Sequence, residues 1–291
     1  MILITGAGGK TGRAVIRALV SKGEPVRALV HRSDQTQRLE SLGVQQALAG
    51  DMNSRSTMAR AVQGVRAIYH ICPNVSPDEL SIGQTVIAAA RVAGIEHFVY
   101  HSVLHPQTES MPHHWQKLRI EEQLLESGLS YTILQPTVYM QNILVHWKKI
   151  LNEGIYPVPY PAETRLSYVD LDDVGQVAAI VLTESGHANA TYQLVGTPGL
   201  SQDQVAGILS QQLGRQVRVT TVPLETWERQ ARRSGMGDYQ VDTLLKMFRY
   251  YARYGLCGNP QVLSWLLLRP PLTLDNFIEN TVHQQVQQEP I

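Results

Sequence analysis

The chain predicts an α/β fold, a doubly wound parallel sheet with a smaller, mainly helical C-terminal lobe. Three observations point there. An apolar strand opens the chain and passes through a glycine-rich turn into an amphipathic helix carrying Val15, Ile16, Leu19 and Val20. Short β-branched strands then alternate with helical stretches through the first half. From Gln202 onward the pattern is helical.

The elements follow in order. Ile2 to Ile4 is the first strand and Val26 to Val30 the second. A polar helical stretch runs from Gln35 to Leu42, and Val44 to Ala49 forms a third strand ending in Gly50-Asp51-Met52. Met58, Ala61 and Val62 give a short helix its apolar face. Ala67 to Ile71 is the fourth strand, and Ile82, Val86, Ile87, Ala90 and Val92 lie on a long helix. His97 to His101 is the fifth strand, a helix carries Leu118, Leu124 and Leu125, and Tyr131 to Leu134 is the sixth strand. Gly154 to Pro161, rich in proline and tyrosine, reads as loop. Ser167 to Val169 and Tyr192 to Val195 read as short strands flanking a helix from Val174 to Leu182. Asp170, Asp172 and Asp173 suit that helix's N-terminus, where carboxylates cap and oppose the dipole. Helices follow over Gln202 to Leu213, Leu224 to Arg233 and Asp238 to Tyr254. The last helix starts after Thr273, and Gln284 to Ile291 is expected to fray. Residues 1–136 are expected to form the nucleotide domain, with 167–195 returning to it; 137–166 and 196–291 form the second lobe.

The opening turn carries the chemistry. Gly9-Lys10-Thr11 resembles the end of a P-loop, but Ile4 stands where that motif needs its first glycine. The G-x-G-x-x-G spacing also fails, because Thr11 occupies its third glycine position. Gly6-x-x-Gly9-x-x-Gly12 fits: one glycine for the turn, one for close approach to a pyrophosphate, one for helix–strand packing. A ligand-free connection would not need four glycines and their backbone entropy. Gly6, Gly8, Gly9, Lys10, Thr11 and Gly12 are therefore the candidate phosphate cradle, with Lys10 and Arg13 either assisting or facing water.

The second strand ends in His31-Arg32-Ser33. The acidic residue that grips the ribose hydroxyls in NAD sites is absent from that strand end. A guanidinium matches a 2′-phosphate in shape and charge, so Arg32 predicts NADP(H) over NAD(H). Ligands on such sheets lie outside the carboxyl ends of the strands. That adds Asp51, Met52, Cys72, Pro73 and Pro136 to the expected cofactor contacts.

Composition narrows the classes. With 25 basic and 25 acidic residues and no basic run, direct nucleic-acid binding has no electrostatic support. Two cysteines, Cys72 and Cys257, make no disulfide framework, and a reducing cytoplasm is expected. Met1 leads straight into a strand, so no signal peptide is expected. Leu263 to Leu268 is too short to span a bilayer and reads as core helix.

With these pieces placed, the chain resembles the NmrA-like family of atypical short-chain dehydrogenases/reductases. The resemblance rests on Ile2–Gly12, Val26–Arg32, Gly50-Asp51, His97–Leu104, Ser127–Pro136, Tyr139-Met140-Gln141-Asn142, Val169–Val174 and Arg269-Pro270-Pro271. It implies a Rossmann domain, a smaller C-terminal domain and an active cleft between them. Members include quinone, dye and plant phenolic reductases that use NADPH. Others are catalytically silent NADP-binding redox sensors that contact regulators. A small-molecule substrate is expected, with a homodimer or a regulatory protein as the conceivable protein partners.

Typical short-chain dehydrogenases pair a serine with Tyr-x-x-x-Lys, the lysine lowering the tyrosine pKa. The matching stretch is His113-His114-Trp115-Gln116-Lys117, with histidine in place of tyrosine. The resemblance makes Ser102 the group that polarises a substrate oxygen. It makes Lys117 the group that binds the nicotinamide ribose or donates a proton. His113 or His114 is a candidate acid, since imidazole titrates near neutrality. His105, Tyr139 and Asn142 are the implied substrate contacts. His101, His105, His113 and His114 lack ligand spacing, and no metal is expected. A reductase of a small conjugated or aromatic carbonyl, such as a quinone or enone, is favoured over a non-catalytic NADP(H) sensor. Arg32→Glu should weaken NADPH about tenfold or more while sparing NADH, because one charge-assisted bond contributes roughly 1.5–3 kcal/mol. Calorimetric titration with both dinucleotides checks this, and equal weakening of the two removes Arg32 from the 2′-phosphate.

Overall fold

The computed structural model describes residues 1–288. Along the chain lie β1 (Ile2–Ile4), α1 (Lys10–Ser21), β2 (Val26–Val30), α2 (Thr36–Glu40), β3 (Gln46–Ala49), α3 (Arg55–Ala61), β4 (Ala67–His70), α4 (Glu79–Ala93), β5 (His97–His101), α5 (Pro112–Leu125) and β6 (Tyr131–Pro136). After β7 (Val138–Tyr139), α6 (Trp147–Glu153), β8 (Ile155–Val158), β9 (Arg165–Leu166) and β10 (Tyr168–Val169) come α7 (Leu171–Thr183) and β11 (Ala190–Leu194). The chain continues through β12 (Leu200–Ser201), α8 (Gln202–Leu213), β13 (Arg218–Thr221), α9 (Leu224–Arg233), α10 (Asp238–Tyr254), α11 (Gln261–Leu267) and α12 (Leu274–Gln288).

Two compact units result. The first joins Met1–Pro136 to Leu171–Leu194, and the second joins Thr137–Asp170 to the chain from Val195 onward. The return to the first unit begins at Leu171 rather than at residue 167, because β10 pairs with β7 inside the second unit.

The first unit is a seven-stranded parallel sheet in the order β11-β6-β5-β4-β1-β2-β3. The chain steps outward from β1 to β3, then crosses back to β4 on the other side of β1. The carboxyl ends of β1 and β4 therefore flank the crevice where such sheets take ligands. Both faces are covered, which is why the strands read as apolar runs rather than alternating ones. Leu3, Leu29, Ile68, Phe98 and Ile133 pack against Met58 of α3, Val86 and Ala90 of α4, and Ile120 and Leu124 of α5. On the other face α1 and α7 cross closely: a Cβ at Gly175 would stand 2.7 Å from the Ala14 carbonyl oxygen.

The second unit is mainly helical but holds three two-stranded pairings, β7 with β10, β9 with β12, and β8 with β13. Gly154 to Pro161 is thus not all loop: β8 lies within it, paired in parallel to β13. Two buried tyrosine hydroxyls meet on one glutamine. Those of Tyr156 and Tyr168 donate to Gln202 Oε1 at 3.2 and 3.1 Å, and Gln202 Nε2 donates to the Thr164 carbonyl at 2.9 Å. Helix α12 continues through Gln288 in place of the expected fraying, and residues 289–291 lie outside the described ones.

Candidate functional site

The glycine turn sits on the end of β4. The Thr5 hydroxyl oxygen accepts from the Ile71 amide at 3.0 Å and lies 2.9 Å from His70 Nδ1, tying the end of β1 to that of β4. Gly6 has φ +58°, and a Cβ there would fall 2.6 Å from the Ile71 side chain. A Cβ at Gly12 would stand 2.6 Å from the Gly6 carbonyl oxygen and 2.7 Å from Ala7 Cα, so α1 rests directly on the turn. Gly9 is different. Its backbone angles are ordinary, and an added Cβ would meet only the Gly6 carbonyl oxygen at 3.4 Å. Neither packing nor strain requires glycine there, where it stands as the N-cap of α1. No side chain caps α1 and no carboxylate occupies its first turn. Its leading N–H groups therefore carry the positive dipole end with no side-chain acceptor on them. Lys10 is exposed beside them and Thr11 is buried.

Arg32 stands just past β2 with an exposed guanidinium, Nε 3.1 Å from Asp34 Oδ1. Gln35, which sequence reading missed, links this segment to the turn. Its amide nitrogen lies 3.1 Å from where a Gly8 Cβ would stand, and its Oε1 accepts from the Arg32 backbone at 3.4 Å. Arg13 adds positive potential nearby: partial burial first, then the charges of Arg38 and Arg17, lower its pKa. Asp51 is exposed and accepts from the Asn53 amide, while Met52 is half-buried against the core. Cys72 is buried and Pro73 exposed just past β4. Burial, and then the nearby Glu79 carboxylate, push the Cys72 thiol up.

Two buried carboxylates that the sequence reading passed over hold α5. Glu121 accepts the Ser102 hydroxyl and both contacts of Gln135 Nε2, at 3.0 and 3.1 Å. Burial raises its pKa, against the pull of those hydrogen bonds. Ser102 is 2% exposed, so its hydroxyl is committed to Glu121 rather than turned to open space. Glu79 pairs with Lys117, whose Nζ lies 2.7 Å from Oε1. Pro136 is buried and its carbonyl accepts from the Leu104 amide.

His113 is pushed down to about 3, by burial first and then by His114 and Lys117. It packs edge-on to His114 at 4.5 Å between ring centroids. Burial and these two neighbours favour its neutral form. His114 is also lowered, to about 4. Its Nδ1 lies 3.1 Å from the carbonyl oxygen of His105, a residue in the left-handed region at φ +55°. Tyr139 is half-buried in β7 and Asn142 exposed in the following turn, both in the second unit. Among the described residues, no three His, Cys, Asp or Glu groups gather to hold a metal, and no helix is long and apolar enough to cross a membrane.

The sheet order, the turn and the bare helix end define a Rossmann-type dinucleotide-binding fold. A family model described as the NmrA-like family matches residues 1–288, and the chain belongs to that family. It is 31% identical over 278 residues to the NAD(P)H azoreductase of Xenophilus azovorans, covering 95% of this chain and 96% of that one. It is 27% identical to quinone oxidoreductase 2 of Escherichia coli over 96% of this chain and 98% of that one. The crystal structure of the NADPH-dependent quinone oxidoreductase of Escherichia coli complexed with NADPH superposes with a TM-score of 0.84, at 27% identity over 97% and 100% of the two chains. Triphenylmethane reductase from Citrobacter sp., complexed with NADP(H), shares the fold at 23% identity over 96% of this chain and 99% of that one, with a TM-score of 0.84.

One pH dependence follows from the core beneath the turn. His70 is fully buried, stacked on Tyr100 at 5.8 Å, and its Nε2 has no partner among the described residues. Burial first, then Lys117, hold it down at about 3. A lowered histidine pKa makes protonation favour the unfolded chain. Stability is therefore intact above the ordinary value near 6.5 and is lost as pH falls toward 3. Urea unfolding should show a loss of about 2 kcal/mol from His70 alone between about pH 7 and about pH 5. His70→Gln should flatten that slope; an unchanged slope contradicts the assignment.

Proposed function

We propose that the protein is an NADP(H)-dependent reductase of small conjugated or aromatic carbonyl compounds, such as quinones or enones. The observation that carries this reading is the uncapped start of α1 over a turn whose Gly9 has no packing reason to be glycine. The azoreductase and quinone oxidoreductase relatives support the same direction. In this reading the leading amides of α1 hold the pyrophosphate. Arg32 exchanges Asp34 for the 2′-phosphate, a stronger and bidentate partner. The dinucleotide supplies the hydride when bound.

The residues of the chain then handle position and protons. Lys117 is the group offered for the proton or for the ribose hydroxyls. At 15% side-chain exposure its ammonium is sheltered yet not sealed off. Ser102 contributes by fixing α5 to the end of β5 through Glu121. His105, set by a strained backbone and the His114 contact, is offered as a substrate contact in the first unit.

A second reading, an NADP(H)-binding redox sensor without turnover, draws on two observations. The residue in place of the usual tyrosine is a histidine whose burial favours the neutral form, and the Ser102 hydroxyl is committed. Turnover separates the readings. Incubation with NADPH and a panel of quinones and enones, followed by nicotinamide absorbance, should show substrate-dependent oxidation. Lys117→Ala should lower that rate about 100-fold or more while the pyrophosphate contacts stay largely intact, so that NADPH still binds in calorimetry. Tight NADPH binding with no oxidation across the panel favours the sensor.

A further inference from the structure

Lys117 does not extend freely from α5. Its Nζ lies 2.7 Å from Glu79 Oε1 and 3.4 Å from the His101 carbonyl oxygen. It also stands 5.6 Å from the centroid of the Tyr100 ring, within the range of a cation–π attraction. The Glu79 side chain is only 2% exposed. The Tyr100 hydroxyl donates to the same Oε1 at 3.3 Å. One carboxylate oxygen at the start of α4 thus gathers a hydroxyl from β5 and an ammonium from α5.

An ammonium has three donors on a stem with many rotamers. Here two donors are spent on acceptors anchored in separate elements, Glu79 and the β5 backbone. The third is left over, and its direction is set by the other two. A carboxylate this buried is costly unless paired, and a well-packed apolar residue would often serve stability as well. The arrangement is better explained by what it does to the lysine than by what it adds to the fold.

We propose that Glu79 is the positioning residue of this site: its carboxylate pins the Lys117 ammonium against the end of β5 and leaves one N–H for a ligand. The consequence for turnover rests on the reductase reading above. The pinning itself does not, and the experiment reads the two separately.

The test compares wild type, Glu79→Gln, Lys117→Met and the double variant, with Glu79→Asp as a milder change should the Gln variant fold poorly. Two readouts are taken: steady-state kinetics with NADPH and an accepted quinone, and acylation of Lys117 by isotopic acetic anhydride followed by mass spectrometry. Glu79→Gln should lower kcat about tenfold or more and leave the KM for NADPH within about twofold. It should have no further effect on kcat once Lys117 is Met, because both changes remove one device. Acylation of Lys117 should rise several-fold in Glu79→Gln and by less in Glu79→Asp, with other lysines unchanged. Additive effects on kcat overturn the positioning role, and so does unaltered labelling of Lys117. If wild type oxidises no NADPH on the panel, the reductase reading falls, and the labelling ratio alone decides whether Glu79 pins the ammonium.

Discussion

Helix α1 begins with no side chain on its leading amides, and β1 delivers it there through a turn that needs glycine at Gly6 and Gly12. The two facts depend on each other. Gly6 takes a left-handed angle against Ile71, and Gly12 lets the helix sit on the turn with no room for a Cβ. This fixes where the dipole of α1 points, over the crevice beside β1 and β4. Thr5 and His70 hold the floor beneath it. A buried imidazole there costs stability in acid, and both the Thr5 contact and the stacking on Tyr100 hold it in place.

The neighbouring strand ends are organised by charge rather than by packing alone. Glu79 and Glu121 are both buried, and each draws α5 toward the sheet through a different strand. Glu79 reaches Lys117 and Tyr100; Glu121 reaches Ser102 and Gln135. Buried carboxylates seldom repay their desolvation in stability. Two of them clamping one helix define a position for it. The consequence is a sheltered ammonium held beside the end of β5.

Much of this was legible in the residues. Strand and helix periods located the sheet, and the spacing of Gly6, Gly9 and Gly12 located the turn, because both are local signals. The strand hidden in Gly154 to Pro161 was not legible, since its partner β13 lies some sixty residues on and prolines masked its period. Glu79 was missed for the same reason: its partner is 38 residues away, and an isolated glutamate at a helix start reads as dipole compensation. Glu121 carried a signal that went unused, four residues after Lys117 on the same helix face. The burial of His113 and His114 was not legible either: residue type gives an ordinary imidazole, while the packing that favours its neutral form comes from the fold.

The bare start of α1 as a pyrophosphate cradle is most directly tested by calorimetric titration of NADPH into wild type and Gly9→Ala. The added methyl group meets only one backbone oxygen at 3.4 Å, and alanine is the poorer N-cap, so the variant should fold with a loss of no more than about 1 kcal/mol. Wild type should bind NADPH, and the variant about tenfold more weakly, a difference of about 1.4 kcal/mol. Absence of binding heat in wild type, or equal affinity in the two proteins, would contradict the account.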